Sequence, residues 1–422
     1  MSSSLALYAV LGVAAIPFIY YCIVLFSGWH FFARRHGGRT SPPKEPFTPP
    51  VSILKPVRGL DPDAYENFAS FCRQDYPEYE IIFCVGDGSD PVLPVIEQVK
   101  ADFPNQAIRV LFGSGRVATN DKVAKLARLS KEAKYEYLVI NDSDVRAEHG
   151  YLRTVVAPLA DPKVGAVTCF YAPTEDTNVV QKLQTTGMYS DFYPGIVVAW
   201  QLDGVKFALG PTIATTRSRL AEFGGYEAIE NRPADDLLVG RLIAEHGHEV
   251  KLIPYTIRTV ADFQSFRDLF LKRLRWIVVM RHMRPFGHLG LVFTFGLPWS
   301  AIGALFAPSP LIATGFLAAY LAVRTTMTVQ IIQGLKQRLS LPGLALIPLW
   351  DALAFVIWLV SFTRSTIRWR DHDYYIREGQ LVPADSNLQA GKRKRIATPG
   401  SSPVPAEAAA SQSASRSAHS AS

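Results

Sequence analysis

The sequence predicts an α/β protein whose mostly parallel sheet domain is tied to a membrane at both ends. Three observations predict it: Leu5 to Phe26 carries no charged residue, short β-branched runs alternate with helical stretches from Val51 onward, and three apolar stretches follow residue 285. At 48% hydrophobic and 19% charged, the 422-residue chain is also more apolar than an ordinary soluble protein. Collagen-like, coiled-coil and wholly disordered classes are excluded, since no matching period or composition appears. Cys22, Cys72, Cys84 and Cys169 show no paired spacing, which excludes a disulfide scaffold and a cysteine zinc site. The net charge of +7 leaves nucleic acid, an anionic membrane surface or a phosphorylated substrate as partners.

Residues 1–36 read as an anchor. The uncharged run is about twenty residues long, enough to cross a hydrocarbon core of ~30 Å as a helix. Arg34, Arg35 and Arg39 follow it and no cation precedes it, so the N-terminus is expected outside and the rest in the cytoplasm. A cleaved signal peptide would need a charged start and a shorter apolar core. Gly37 to Pro50, rich in Pro and Gly, reads as a linker.

Residues 51–285 form the sheet domain. Val51–Leu54, Glu80–Val85, Arg109–Phe112 and Tyr137–Ile140 read as buried strands, with helices over Asp61–Arg73, Pro91–Asp102 and Asn120–Lys131. Such alternation implies right-handed crossovers, and ligands then bind beyond the carboxyl ends of the strands.

Residues 286–370 read as membrane segments, with apolar stretches over Leu289–Phe306, Leu311–Ile332 and Leu344–Phe362 that Pro298, Arg324 and Asp351 interrupt. Lys336 and Arg338 before the last stretch look cytoplasmic, as do Arg364, Arg368 and Arg370 after it. A single span cannot join two cytoplasmic segments, so one stretch is expected to be re-entrant or interfacial. Pro348 singles out the last. Residues 386–422 have no apolar pattern and are expected to be disordered.

Chemistry is expected where carboxylates follow strands. One strand runs into Gly86-Asp87-Gly88-Ser89-Asp90 and another into Asn141-Asp142-Ser143-Asp144, while Asp235-Asp236 precedes a helix over Leu237–Glu245. Converging on one rim, these oxygen ligands would suit Mg²⁺ or Mn²⁺ bridging a diphosphate. The spacing of Asp142 and Asp144 lets both carboxylates approach one ion and a nearby ribose. Asp87 taken alone is a common turn residue. Asp236 is a candidate general base, or else a helix-start carboxylate favoured by the dipole.

Phe266 to Pro285 carries six Lys or Arg against the single Asp268. Lys272, Arg275 and Trp276 share one helical face. The plain reading is an amphipathic helix on anionic lipid. The sharper one adds a guanidinium for a leaving diphosphate and an indole stacked on a sugar or acceptor.

Taken together, Lys55-Pro-Val-Arg-Gly-Leu-Asp61, the loop at Asp87, Asn141-Asp-Ser-Asp-Val-Arg146, Asp235-Asp236 and Lys272-x-x-Arg-Trp276 resemble the ceramide glucosyltransferases. These are membrane glycosyltransferases of family 21, related to family 2, with a Rossmann-like GT-A domain. The resemblance runs from about Val51 to Tyr375 and implies inverting, metal-dependent transfer of a hexose, glucose favoured. The donor would be a UDP-sugar and the acceptor a ceramide-like lipid hydroxyl at the cytoplasmic membrane face. By position it implies nucleotide-sugar contacts for Lys55, Asp87, Lys122 and Asp142, and metal contacts for Asp144 and Asp142. Asp236 takes the base position, and Lys272, Arg275 and Trp276 match the closing motif near diphosphate and acceptor.

The chain departs from the pattern in three places. The closing motif begins with Lys272 instead of Gln or Arg, which loses the planar fork. Asp144 stands where the animal enzymes have Gly, which favours metal binding and a bacterial inner-membrane enzyme, and Lys125 replaces an amide. Arg324 and Asp351 would either pair with each other or serve the acceptor's polar head. Rival readings are a hopanoid N-acetylglucosaminyltransferase, a processive β-glycan synthase, which needs more spans, and an inactive membrane scaffold, which would have lost its acidic residues first. No nucleic-acid module appears.

Overall fold

The computed structural model describes residues 2–37, 46–116, 118–260, 265–369 and 372–384. Most of the linker and all of the 386–422 tail lie outside the described residues. Strand β1 (Val51–Pro56) is buried at every position, which is why it reads as a continuous apolar run. Seven more strands complete its sheet: β2 (Tyr79–Val85), β3 (Ala107–Phe112), β4 (Tyr137–Ile140), β5 (Val145–Arg146), β6 (Val164–Pro173), β7 (Ile213–Thr216) and β8 (Glu249–Thr259). Their order is β3-β2-β1-β4-β7-β6-β8-β5.

β1 to β4 form a parallel half, as the alternating pattern requires. β6 and β8 are also parallel, while β7 runs antiparallel to both β4 and β6, and β5 antiparallel to β8. The expected α/β class therefore holds, with a mixed second half that the four strands read from sequence did not reveal.

Successive residues face opposite sides of the sheet, so each strand feeds two cores. Ile53 joins Phe68, Phe71, Ile96 and Val99 on one face. Leu54 joins Val123, Leu126 and Leu129 on the other. The helix Asp121–Glu132 that covers this second face starts at Asn120, whose side chain accepts from the Val123 N–H. Phe31 and Phe32 of the N-terminal helix and Ile331, Ile332 and Leu335 of a later helix belong to the same core. Phe31 sets its ring 5.8 Å from Phe170 and 5.0 Å from Trp200. The ends of the membrane helices are thus part of the sheet domain's core.

Among the described residues two helices are long and apolar enough to cross a membrane, Leu5–Ala33 and Pro310–Gly334. The first of the three late apolar stretches is a pair, Pro285–Thr294 and Gly296–Leu305, bent by 48° at the break. The last is the 15-residue helix Ile347–Ser361, with Pro348 in its first turn. The sequence pointed only to this last stretch as irregular. The structure bends the first as well, where Tyr21 closes a hydrogen-bonded turn: its hydroxyl donates to Thr294 O and accepts from the Gly296 N–H.

Arg324 and Asp351 pair, as one of the two expectations held. Both are buried; Arg324 Nε donates to Asp351 Oδ2 at 2.9 Å and Nη2 to Oδ1, while Tyr320 Oη donates to Oδ2 at 2.7 Å. Arg324 Nη1 also donates to the Ser190 carbonyl, which ties the pair to the sheet domain. Residues 286–370 do not end the ordered chain: β9 (Thr366–Trp369), β10 (His372–Arg377) and β11 (Gln380–Pro383) form a second sheet. Its hairpin turns on Glu378 and Gly379, both at positive φ. The Leu381 N–H donates to Asn231 O at 2.7 Å, just ahead of the Asp235-Asp236 pair.

Asp351→Ala leaves Arg324 buried without its counter-ion and is expected to destabilise the protein by about 3–5 kcal/mol. Replacing both residues by Leu is expected to recover most of that loss. Thermal unfolding of the detergent-solubilised chain checks both. Equal loss in the single and double variants would show that the pair does not couple.

Candidate active site

The site is built at the carboxyl ends of β1 and β4. Asn141, the first residue after β4, is buried; its Nδ2 donates to Tyr151 Oη at 2.8 Å and to Pro211 O at 2.7 Å. Lys55 near the end of β1 donates to Asp142 O at 3.2 Å, and the Ser143 hydroxyl donates to Asp61 Oδ2. These bonds fix the loop through Asn141, Ser143 and backbone atoms, and leave the Asp142 and Asp144 carboxylates for other partners.

Lys122, in the first turn of its helix, lies between two acidic segments. Its Nζ is 2.7 Å from Asp142 Oδ1 and 3.1 Å from Asp235 Oδ2. Although burial works against its charge, Asp142, Asp235 and Asp236 hold its pKa well above the ordinary lysine value. Lys122 therefore stays an ammonium that screens three carboxylates.

The helix carrying Asp236 begins at Asp235, two residues earlier than the apolar pattern suggested. Ala234 precedes it at φ 54°, a left-handed conformation unfavourable for any residue with a Cβ. Gly210 N–H donates to Asp236 Oδ2 at 2.9 Å, and Leu237 N–H to Oδ1 at 2.8 Å. Burial, then the neighbouring Asp235, raises the Asp236 pKa against the pull of Lys122. A Cβ built on Gly210 would lie 3.2 Å from Asp236 Oδ2 and 3.3 Å from Asp142 Oδ2. The two carboxylates thus face each other across a residue with no side chain.

Asp144 is half-buried, and burial followed by the charge of Asp142 pushes its pKa up, with Lys272 opposing. Lys272 of the basic helix Phe266–Met283 is the positive charge that acts on Asp144. Trp276 on the same helix sits 6.3 Å from Phe192, which stands 6.2 Å from Tyr171. Arg275 lies half-buried between them in sequence. Lys55 is fully buried with its ammonium 3.6 Å from the Phe71 ring centre, and burial brings its pKa down to about 7.

Among the described residues no group of three or more His, Cys, Asp or Glu gathers in a form that could enclose a metal ion. Asp142 and Asp144 nonetheless fit a hard divalent cation, because such an ion takes one or two carboxylates and completes its shell with phosphate oxygens and water. Burial first, and the neighbouring Asp142 second, disfavour the charge on Asp144, and a bound cation would favour it.

Asp87 does not join this cluster. It accepts from the Ser89 N–H at 2.8 Å and the Ser89 hydroxyl at 2.5 Å, in the turn its Asp-Gly pair suggested. Asp87, Arg58, Asp90, Asp121 and Lys125 line a separate hollow of about 410 Å³ beyond β1 and β2. Buried Lys125 donates to Val57 O at 2.8 Å and stands 3.0 Å from Asp121.

Three residues of the site carried no signal strong enough to single them out. Tyr171, at the end of β6, is close enough to Asp236, Asp144 and Asp142 for their charges to raise its pKa further after burial. Gly210 lies in a loop with no motif. Asp235 was legible only as the neighbour of Asp236, yet it supplies the second anchor of Lys122.

Gly210→Ala places a methyl group against both carboxylates and is expected to lower the turnover number at least tenfold. The unfolding temperature should stay near that of the parent. Unchanged turnover would show that the gap between Asp142 and Asp236 is not used.

Comparison with known proteins places the sequence in a family. Ceramide glucosyltransferase 3 of Caenorhabditis elegans is 22% identical over 352 residues, covering 79% of this chain and 74% of that protein. Ceramide glucosyltransferase of Komagataella phaffii is 32% identical over 153 residues, covering 35% of this chain and 30% of that protein. Among solved structures, the mannosyltransferase PcManGT from Pyrobaculum calidifontis, in complex with GDP-Man and Mn²⁺, aligns with a TM-score of 0.48 at 19% identity, covering 82% of this chain and 99% of that one. The sequence model of Glycosyl transferase family 21 matches residues 9–382, and the chain belongs to that family.

Proposed function

We propose that this membrane glycosyltransferase moves a hexose, glucose foremost, from a UDP-sugar to the primary hydroxyl of a ceramide-like lipid, with inversion to a β-glycoside. The observation that carries the reading is the meeting of Asp142, Asp235 and Asp236 around Lys122, beside Asp144 and the Lys272 helix. The curated relatives named for ceramide glucosylation support the acceptor class.

Each step falls to a residue of this chain. The hollow at Asp87, Arg58 and Lys125 receives the nucleoside end, and Lys55 steadies the Asp142 loop from behind. A divalent cation, Mn²⁺ or Mg²⁺, held by Asp144 and Asp142 would supply charge neutralisation for the diphosphate. Asp236 accepts the proton of the lipid hydroxyl as its oxygen bonds to the anomeric carbon from the face opposite UDP. The bond from that carbon to the diphosphate oxygen breaks, and its electron pair leaves with UDP. Arg275 and Lys272 offset the charge that develops there, which is stabilisation aimed at the transition state. Trp276 offers a flat apolar wall to sugar or acceptor. In this arrangement the catalytic face lies on the cytoplasmic side, with the basic helix against the bilayer surface.

Membranes containing the protein are expected to glucosylate ceramide from radiolabelled UDP-glucose, and EDTA is expected to stop the reaction. Label appearing only from UDP-N-acetylglucosamine on a hopanoid would move the substrate pair and keep the machinery. No labelled lipid from either donor would overturn the transferase reading. Asp144→Ala and Asp236→Asn should each reduce turnover about a thousandfold while the protein stays in the membrane, in the range for loss of a general base or a charge-stabilising group. Near-normal turnover in either variant removes that residue from its role.

The pH profile offers an independent check. A base must be ionised to act, and Asp236 is raised to about 6 from the ordinary carboxylate range. The specificity constant is therefore expected to fall about tenfold per pH unit below about 6. A profile flat down to pH 4.5 would assign proton removal to another group.

A further inference from the structure

Met188–Phe192 is a single turn of π-helix between the sheet domain and the membrane helices. Such turns need a local reason, and this one is pinned by Arg324, whose Nη1 donates to the Ser190 carbonyl. The turn carries Asp191, a carboxylate the reaction above does not use. Burial raises its pKa, while the positive charges of Arg324 and Arg273 pull it back.

Arg273 occupies an unspecified position of the closing motif, one residue after Lys272. It is only 8% exposed, with its guanidinium 4.9 Å from the Trp276 ring centre and 4.8 Å from that of Trp350. Its Nε donates to Gln184 Oε1 at 3.0 Å, yet its buried Nη2 has no hydrogen-bond partner. Ser190 Oγ, next to Asp191 in the chain, is also buried without a partner. Leaving a charged donor and a hydroxyl buried and unmet costs free energy at each, and a polar guest would satisfy them.

The position relative to the carboxylates identifies the guest. Tyr171, Phe192 and Trp276 form an aromatic wall with neighbouring centres 6.2 Å and 6.3 Å apart. At one end of the wall Tyr171 senses Asp236, Asp144 and Asp142, and it also senses Arg273. A molecule lying on this wall would present one group to Asp236 and another to Asp191 and Arg273.

We propose that Asp191 and Arg273 bind the polar head of the lipid acceptor, Asp191 accepting from its second hydroxyl or amide N–H and Arg273 Nη2 donating to its amide carbonyl. This rests on the lipid-acceptor reading given above and names the part of the site that selects the acceptor. The aromatic wall then sets the distance between the head and the reacting hydroxyl. Asp191 acts as a positioning residue and takes no proton in the transfer.

The test uses the full chain in mixed micelles, with UDP-glucose as donor and N-hexanoyl sphingosine as acceptor. Asp191→Asn keeps the shape and removes the charge; the acceptor KM is expected to rise at least tenfold, with the donor KM and the turnover number within twofold. Asp191→Glu is expected to recover part of the acceptor affinity, which a purely structural role would not produce. The unfolding temperature should match that of the parent. An unchanged acceptor KM in Asp191→Asn overturns the subsite alone, as does an equal rise in both KM values. A parent protein that consumes UDP-glucose yet glucosylates no ceramide overturns the acceptor reading, and the subsite with it.

Discussion

One ammonium holds the catalytic rim together. Asp142 and the Asp235-Asp236 pair come from two segments far apart in the chain, and three carboxylates in a partly covered place repel one another. Lys122 bonds to two of them and feels the third, and it keeps its charge despite burial because they outweigh the desolvation. The balance is incomplete: burial first, and a neighbouring carboxylate second, still raise the pKa values of Asp236 and Asp144. Residual negative charge of this kind attracts a cation and keeps a carboxylate basic enough to act near neutral pH. The left-handed Ala234 is a local strain that the helix start and the bonds to Gly210 maintain at the same point.

The second constraint is the union of sheet and membrane helices. Phe31, Phe32, Ile331 and Ile332 belong to the same core as Leu54 and Val123, so the sheet cannot turn freely over the bilayer. The Arg324–Asp351 pair strengthens this at a deeper level by gripping the Ser190 carbonyl. A lipid-acting transferase needs its nucleotide end and its bilayer end at a fixed separation. Orientation of this kind contributes to rate without any additional chemical group.

The parallel half of the sheet, the capped helix at Asn120 and the long N-terminal helix were legible because each follows from local periodicity. The Asp142–Asp144 loop was legible because it ends a strong apolar strand. Family likeness suggested the roles of Asp236, Arg275 and Trp276, and the match over residues 9–382 bears on the family alone. The antiparallel strand β7 was not legible, since direction depends on the loop before it and not on composition. β10 and β11 were overlooked although Tyr374 to Pro383 alternates around an obvious Glu-Gly turn.

Sequence by itself determined the four strands of the parallel half, which segments are apolar enough to meet a bilayer, and which carboxylates follow strands. Those properties are set by neighbours within a few residues, through period and hydration. Tertiary structure alone decided that Lys122 serves as counter-charge to Asp142 and Asp235, that Gly210 separates two carboxylates, and that Arg273 is buried with a donor unmet. Each of these joins residues far apart in the chain. Coulomb energy and desolvation depend on distance and burial in space, which no local pattern encodes.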